Sequence, residues 1–301
     1  MSTRTPHLLE PYLPLSPSSL TLLTSVLGAT TNWLLLRFLA HHLARPTGSD
    51  GDSDGDGGYG EAVDDRARKG GDKAVVFVSF MRDYAFWKEG AARLGVDLDL
   101  AINQETLIFI DGLTGLFVPA PRKATPQPSG RRTLRSGKLA DIRTELDRAV
   151  DDIGSVQSNS AVNRKIVLII DQPDSYLAMT SSQNTPGQIT DMIISLREKV
   201  HAAILTMAVD EPLIESQSTT LERCHASLAL STAHEARLVL SLRRLDTGVA
   251  TDVSGVLRIT RGGAYEEGIE KEDEEGEEVE AHEYLYFVAQ DGGVKIFERG
   301  Q

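Results

Sequence analysis

At 301 residues with 41% hydrophobic side chains, the chain can hold one large domain or two small ones and is too apolar to be disordered throughout. Its one cysteine, Cys224, excludes an internal disulfide and a cysteine-rich zinc site, and points to a reducing compartment. The net charge of −13 is concentrated: Glu266–Glu283 holds eleven acids and one lysine, Gly48–Asp72 holds eight acids and three bases, and the remainder carries +2. An acidic total therefore does not exclude a nucleic-acid partner, because the part able to fold is close to neutral.

The first 19 residues contain four prolines among polar residues and read as an extended arm. Residues 20–301 read as one domain carrying low-complexity acidic inserts at 46–73 and 264–283. An apolar strand over Leu20–Val26 leads through Gly28 into an apolar helix over Trp33–Leu43. Residues 20–36 are uncharged and Leu-rich, close to the roughly 18–20 apolar residues of a membrane span. Gly28, Thr30, Thr31 and Asn32 interrupt the run, and Arg37, His41 and His42 follow it, so a buried strand, loop and helix is the better reading and no membrane partner is expected. The N-terminus also lacks a basic stretch followed by a cleavage site.

The first insert matches a calcium-loop pattern: Asp50, Asp52, Asp54 and Gly55, then Glu61 after five residues. Its context argues against a metal, because Pro46 and Gly48 stop a helix from entering and a glycine stands where an aliphatic residue belongs. Strand and helix then alternate. Val75–Phe80 is a short apolar strand, Tyr84–Leu94 is helical and Leu107–Asp111 is a strand. A Pro/Gly/Ser-rich loop spans Pro119–Gly137. Leu139, Ile142, Leu146, Ala149 and Ile153 then share one face of an amphipathic helix.

Ile166–Asp171 is the most hydrophobic strand. The next helix opens at Thr185, Pro186, Gly187 and Gln188, with a capping residue, a first-turn proline and a residue able to close a capping box. A fifth strand covers Ala203–Val209 and a helix covers Thr219–Glu235. Beyond 236, Leu238, Leu240 and Leu242 alternate with more polar residues, Leu257 and Ile259 do likewise, and Asp291, Gly292 and Gly293 form a hairpin signal. Five strand–helix units imply a parallel α/β sheet covered on both faces, completed by an antiparallel C-terminal extension.

Two strands ending in acid, at Asp111 and Asp171, have the look of the strand that holds magnesium in a P-loop NTPase. The position of the phosphate loop is taken by Leu27, Gly28, Ala29, Thr30, Thr31, Asn32 and Trp33. That loop chemistry needs several glycines to bring backbone N–H groups onto the phosphates, a lysine for the β/γ oxygens and a Ser or Thr for the metal. Here there is one glycine and no lysine, so Gly28, Thr30, Thr31 and Asp171 mark a degenerate nucleotide site. The second strand ends at Ser79, Phe80 and Met81, where an active ATPase would carry a water-activating glutamate. Asp171, followed by Pro173 and Asp174, is expected to cap a turn through side-chain to backbone bonds. No metal ligand set or catalytic triad stands out, and no cofactor is expected. An acid-free basic loop carries Arg122, Lys123, Arg131, Arg132, Arg135 and Lys138, suited either to phosphate contact or to plain solvation.

The runs Val75–Phe80, Arg93–Val96, Leu107–Phe117 and Ile166–Ala178 resemble the Elongator complex protein 6 family, and the acidic inserts resemble those of a filamentous-fungal member. The resemblance implies a RecA-like fold without a working phosphate loop. It further implies a hetero-hexameric ring with two other RecA-like subunits, two copies of each, attached to the catalytic Elongator subcomplex. That complex modifies wobble uridines of tRNA, and the ring is associated with tRNA binding and release. On this reading the chain is a non-catalytic assembly subunit of the cytoplasm, with the nucleus as a second location. The alternative is a weak nucleotide binder using Thr30 or Thr31 with Asp171.

Overall fold

A computed structural model of the protein describes residues 5–43, 73–119, 128–155, 164–179, 185–245, 250–265 and 281–298. In chain order the elements are β1 (Ser19–Ser25), α1 (Asn32–Leu43), β2 (Lys73–Ser79), α2 (Tyr84–Ala92), α3 (Leu98–Asn103), β3 (Leu107–Asp111) and α4 (Thr114–Phe117). There follow β4 (Arg131–Thr133), α5 (Leu139–Ser155), β5 (Lys165–Asp171), α6 (Pro173–Met179), α7 (Pro186–Arg197), β6 (Ala202–Ala208), α8 (Glu211–Ile214) and α9 (Thr220–Glu235). The chain closes with β7 (Leu238–Arg243), β8 (Gly255–Arg261), β9 (His282–Val288) and β10 (Val294–Glu298).

The strands form one sheet in the order β10-β9-β8-β7-β1-β6-β5-β2-β3-β4. From β7 to β4 the neighbours are parallel, and from β7 to β10 they are antiparallel. Every residue of β1 is buried, as are all but the first of β2 and β5, because helices cover the parallel strands on both faces. One face packs Leu22, Val76, Leu168 and Leu205 under α5, α7 and α9. The other packs Leu23, Phe77, Ile169 and Ile204 under α1, α2 and α3. The capping boxes are present at Thr185–Gln188 and at Thr219–Glu222, each meeting backbone donors that helix starts leave unpaired.

Three features depart from the expectations. His7–Tyr12 is a 3-10 helix rather than extended chain, and Leu9 and Leu13 enter the core beside α1, so part of the arm is a core element. The antiparallel extension begins one strand later than the pattern suggests, since β7 lies parallel to β1 with Leu23 opposite Leu240. Its alternation arises because Leu238, Leu240 and Leu242 join the core on the α1 side of the sheet, while Val239 and Ser241 on the opposite face are only half-buried. The Pro119–Gly137 loop contains β4, which adds to the sheet edge through Phe109 opposite Arg131. The calcium-pattern residues Asp50–Glu61 lie outside the described residues. Among the described residues no helix is long and apolar enough to cross a membrane, and residues 20–36 fold as β1, a turn and α1.

Candidate functional site

The parallel strands end at one edge of the sheet, the edge at which open α/β folds bind ligands. After β1 the chain makes a tight turn in which the Ala29 N–H donates to the Val26 carbonyl at 2.9 Å, with Gly28 at φ +87°, where a side chain would be strained. A Cβ at Gly28 would lie 3.3 Å from Cδ of Arg244, so a side chain from the end of β7 fills the space over the turn. The Leu27 N–H donates to Asp210 Oδ1 at 2.7 Å, and the Leu27 side chain is 83% exposed. The Thr30 hydroxyl accepts from the Asn32 N–H at 3.2 Å, while Thr31 is buried. The donors at 27 and 29 are thus engaged, and a carboxylate stands where a phosphate would have to approach.

Asp171, at the end of β5, is 1% exposed. Its Oδ2 accepts from the Ser79 hydroxyl at 2.7 Å and its Oδ1 from the Thr206 hydroxyl at 2.8 Å. Register explains this, because Ser79 of β2 and Thr206 of β6 are the direct cross-strand partners of Asp171 on its two sides. The expected turn cap is therefore replaced by a clasp joining three central strands. Burial pushes the Asp171 pKa up, and the two hydroxyl bonds act against that shift. Ser79 also accepts from the Arg82 N–H at 3.0 Å, so the place of a catalytic glutamate is taken by a residue that closes the strand end.

Gln172, at φ +57°, turns the chain sharply into α6, an element the proline-containing sequence had suggested would be a turn. Inside that helix Asp174 is 6% exposed, and its Oδ2 accepts from the Ala208 N–H at 3.3 Å. His225 of α9 bonds the Ala208 carbonyl through Nε2 at 2.7 Å. Burial pushes the Asp174 pKa up to about 6, with His225 pulling the other way. Asp111, by contrast, is half-buried at the end of β3 and accepts from the Leu113 and Thr114 N–H groups at 3.0 and 2.7 Å. It is a turn cap of the kind expected of Asp171. Among the described residues, no group of three potential ligands is placed to hold a metal ion.

Of the six basic-loop residues, Arg122 and Lys123 lie outside the described residues. The Arg131 guanidinium sits 4.1 Å from the centre of the Tyr84 ring. Arg132 bridges Glu145 at 3.2 Å and Asp152 at 2.6 Å, both on α5. Arg135 and Lys138 are exposed. The loop is acid-free in sequence, but α5 supplies carboxylates across space. Sequence reasoning missed Ser79, Thr206, Asp210 and the Asp174–His225 pair as members of the site. The available signal was a lone hydroxyl residue late in each of two apolar strands.

A family model described as "Elongation complex protein 6" matches residues 69–282. The chain belongs to that family. It is 23% identical to the Elongator complex protein 6 homolog of Schizosaccharomyces pombe over 230 residues, which is 76% of this chain and 81% of that protein. Among solved structures it resembles a KaiC-like protein, PH0186, from Pyrococcus horikoshii, with TM-score 0.53 and 12% identity over 93% of this chain and 90% of that one. It also resembles the uncharacterized P. horikoshii protein PH0321, solved with an unknown peptide, with TM-score 0.59 and 13% identity over 98% of both chains. The fold of this Elongator protein 6 family member is accordingly RecA-like, a mostly parallel sheet between helices with an antiparallel C-terminal extension.

Proposed function

We propose that the protein is a non-catalytic, RecA-like subunit of the Elongator accessory ring. In this reading it assembles with two other RecA-like subunits, two copies of each, and the ring serves the catalytic Elongator subcomplex in tRNA wobble-uridine modification, in the cytoplasm and the nucleus. The observation that carries it is the closed carboxyl edge. Both oxygens of Asp171 are held by Ser79 and Thr206, and Asp210 occupies the Leu27 N–H, so two separate parts of an ATPase site are engaged internally. Family membership supports the partners. Arg135 and Lys138 are the exposed cations best suited to tRNA phosphates, because Arg131 and Arg132 are committed to Tyr84 and α5.

The test is purification of the tagged chain from its source followed by nucleotide titration of the isolated protein. Two further RecA-like chains should co-purify, and ATP should show no saturable binding below about 1 mM. Micromolar ATP affinity lost in Asp171→Asn would instead establish the weak nucleotide binder that uses Thr30 or Thr31 with Asp171. In the assembled ring, Arg135→Ala/Lys138→Ala should weaken tRNA binding and lower its salt slope by about two. Unchanged affinity would assign that loop to solvent.

A further inference from the structure

On the face of the sheet that α9 covers, an open groove of about 390 Å³ lies between α8 and α9. Its floor is two cross-strand pairs, Leu22 with Val239 and Thr24 with Ser241, because β1 and β7 run side by side in parallel. The Thr24 hydroxyl donates to Ser241 Oγ at 2.9 Å, so the polar side chains of the floor serve each other. On the α9 wall, Ala229 and Ala233 stand one turn apart and leave room, and Leu230 beside them is 59% exposed. The α8 wall carries Glu211 and Glu215, both exposed. The Glu215 N–H donates to the Glu211 carbonyl at 2.9 Å, which sets the two carboxylates one helical turn apart. Among the described residues neither carboxylate has a cation or a hydrogen-bond donor, and no lysine or arginine lines the groove.

An apolar floor bordered by two unpaired carboxylates and an exposed leucine calls for an occupant with an apolar face and positive charge. We propose that the groove docks a basic amphipathic helix of another protein. Its aliphatic side chains rest on Leu22, Val239 and Leu230, and two lysines or arginines meet Glu211 and Glu215. Spacing selects a helix, since residues i and i+4 present their cations at the interval at which Glu211 and Glu215 present their carboxylates. Position supports it as well. Helices α5, α7 and α9 pack on this face, which thins at β7 and β8, where Val239, Ser241 and Thr260 are half-buried and Arg258 is exposed. A helix there continues the layer. Charge argues against the nearer occupants. Both inserts of this chain are strongly acidic and are repelled by the same carboxylates. A second copy docked about a two-fold axis sets this acidic patch against itself. The inference does not depend on the assembly reading above, because the partner is defined by its chemistry alone.

The experiment titrates the full chain into the fluorescein-labelled helical peptide LKKLLKLLKKLLKL and, in parallel, into its acidic counterpart LEELLELLEELLEL, reading anisotropy. The basic peptide should bind saturably with Kd below about 100 μM, and the acidic one should not. The acidic inserts attract any basic peptide, so the decisive comparison is between variants of equal charge. Glu211→Gln/Glu215→Gln should weaken the basic peptide at least about five-fold, and Glu277→Gln/Glu278→Gln in the insert should change it less than about two-fold. Leu230→Ala should keep the melting temperature, since the leucine is exposed and alanine favours the helix, and should also weaken the peptide at least about five-fold. Absence of saturable binding, equal weakening by the two glutamine pairs, or an unchanged Leu230→Ala titration would each overturn the proposal. So would a dimer of the parent chain that Leu230→Ala dissociates in sedimentation, because the groove would then belong to a second copy.

Discussion

The two strands that end in acid look alike in sequence and do different things in the fold. Asp111 closes β3, the last full strand before the short edge strand β4, and its carboxylate turns outward to the Leu113 and Thr114 N–H groups. Asp171 closes β5, between β2 and β6, and its carboxylate lies between two hydroxyls from those neighbours. The difference comes from sheet position. A central strand end has partners on both sides and little water, so an acid there needs hydrogen-bond donors from the adjacent strands. A strand end near the sheet margin can spend its acid on the following turn. An acidic residue ending an apolar strand is therefore not by itself a sign of metal chemistry.

The sharpest way to break this comparison is to delete the central acid. Asp171→Ala leaves the Ser79 and Thr206 hydroxyls, both fully buried, without their acceptor. At roughly 1–3 kcal/mol for each of the two unsatisfied buried groups, the loss of unfolding free energy should be about 2–6 kcal/mol. Asp171→Asn keeps one carbonyl oxygen and an amide that the second hydroxyl can accept from, and should cost no more than about 1.5 kcal/mol. Urea denaturation of both variants checks this, and equal losses would show that charge, not hydrogen bonding, is what the clasp needs.

A smaller effect separates Asp171 from its neighbour Asp174. With its folded pKa pushed up to about 6, the Asp174 carboxyl is favoured in its protonated form by the fold. Its contribution to stability is present below the unfolded value of about 3.9 and is lost as pH rises through about 6. Asp174→Asn should therefore stabilise the protein by about 1–2 kcal/mol at pH 7 and by little at pH 4. His42 gives the opposite slope. Burial, with His41 and Lys73 nearby, holds its pKa down to about 3, so stability is full above about 6.5 and falls as pH drops towards 3. Thermal melts across pH 4–8 should show Asp174→Asn losing its advantage on the acid side. Parallel curves for variant and parent would mean that Asp174 is not the group that titrates.

Much of the scaffold was readable from side-chain chemistry alone. The apolar runs that became β1, β2, β3, β5 and β6 are buried on both faces and so carry unbroken hydrophobic stretches, and Thr185 with Gln188 announces its helix through capping. Less was readable where local chemistry and tertiary placement conflict. Pro173 and Asp174 resemble a turn, yet the bend is made by Gln172, and Pro173 is then free to begin α6, where its missing N–H costs nothing. β4 is three residues long and rich in arginine, and it becomes a strand only because β3 offers an open edge and Tyr84 a ring face. The site was half visible: the missing lysine and glutamate are sequence facts, but the Ser79–Asp171–Thr206 clasp depends on strand register, which no local pattern encodes.

The smallest expected effect completes the comparison from the sheet margin. Asp111→Ala removes the acceptor of the Leu113 and Thr114 N–H groups, which then turn to water because Thr114 is exposed and Leu113 half-buried. Loss of such a cap costs about 1 kcal/mol, well below the deletion of Asp171. Asp111→Asn or Asp111→Ser should recover most of it, since either side chain can accept from a backbone N–H. Amide exchange should quicken locally at residues 113–118 with the rest of the sheet unchanged, because α4 is a single turn beyond the strand. A loss from Asp111→Ala as large as that from Asp171→Ala, or exchange spreading into β2 and β5, would show that the two acids are equivalent after all and that sheet position does not decide what they do.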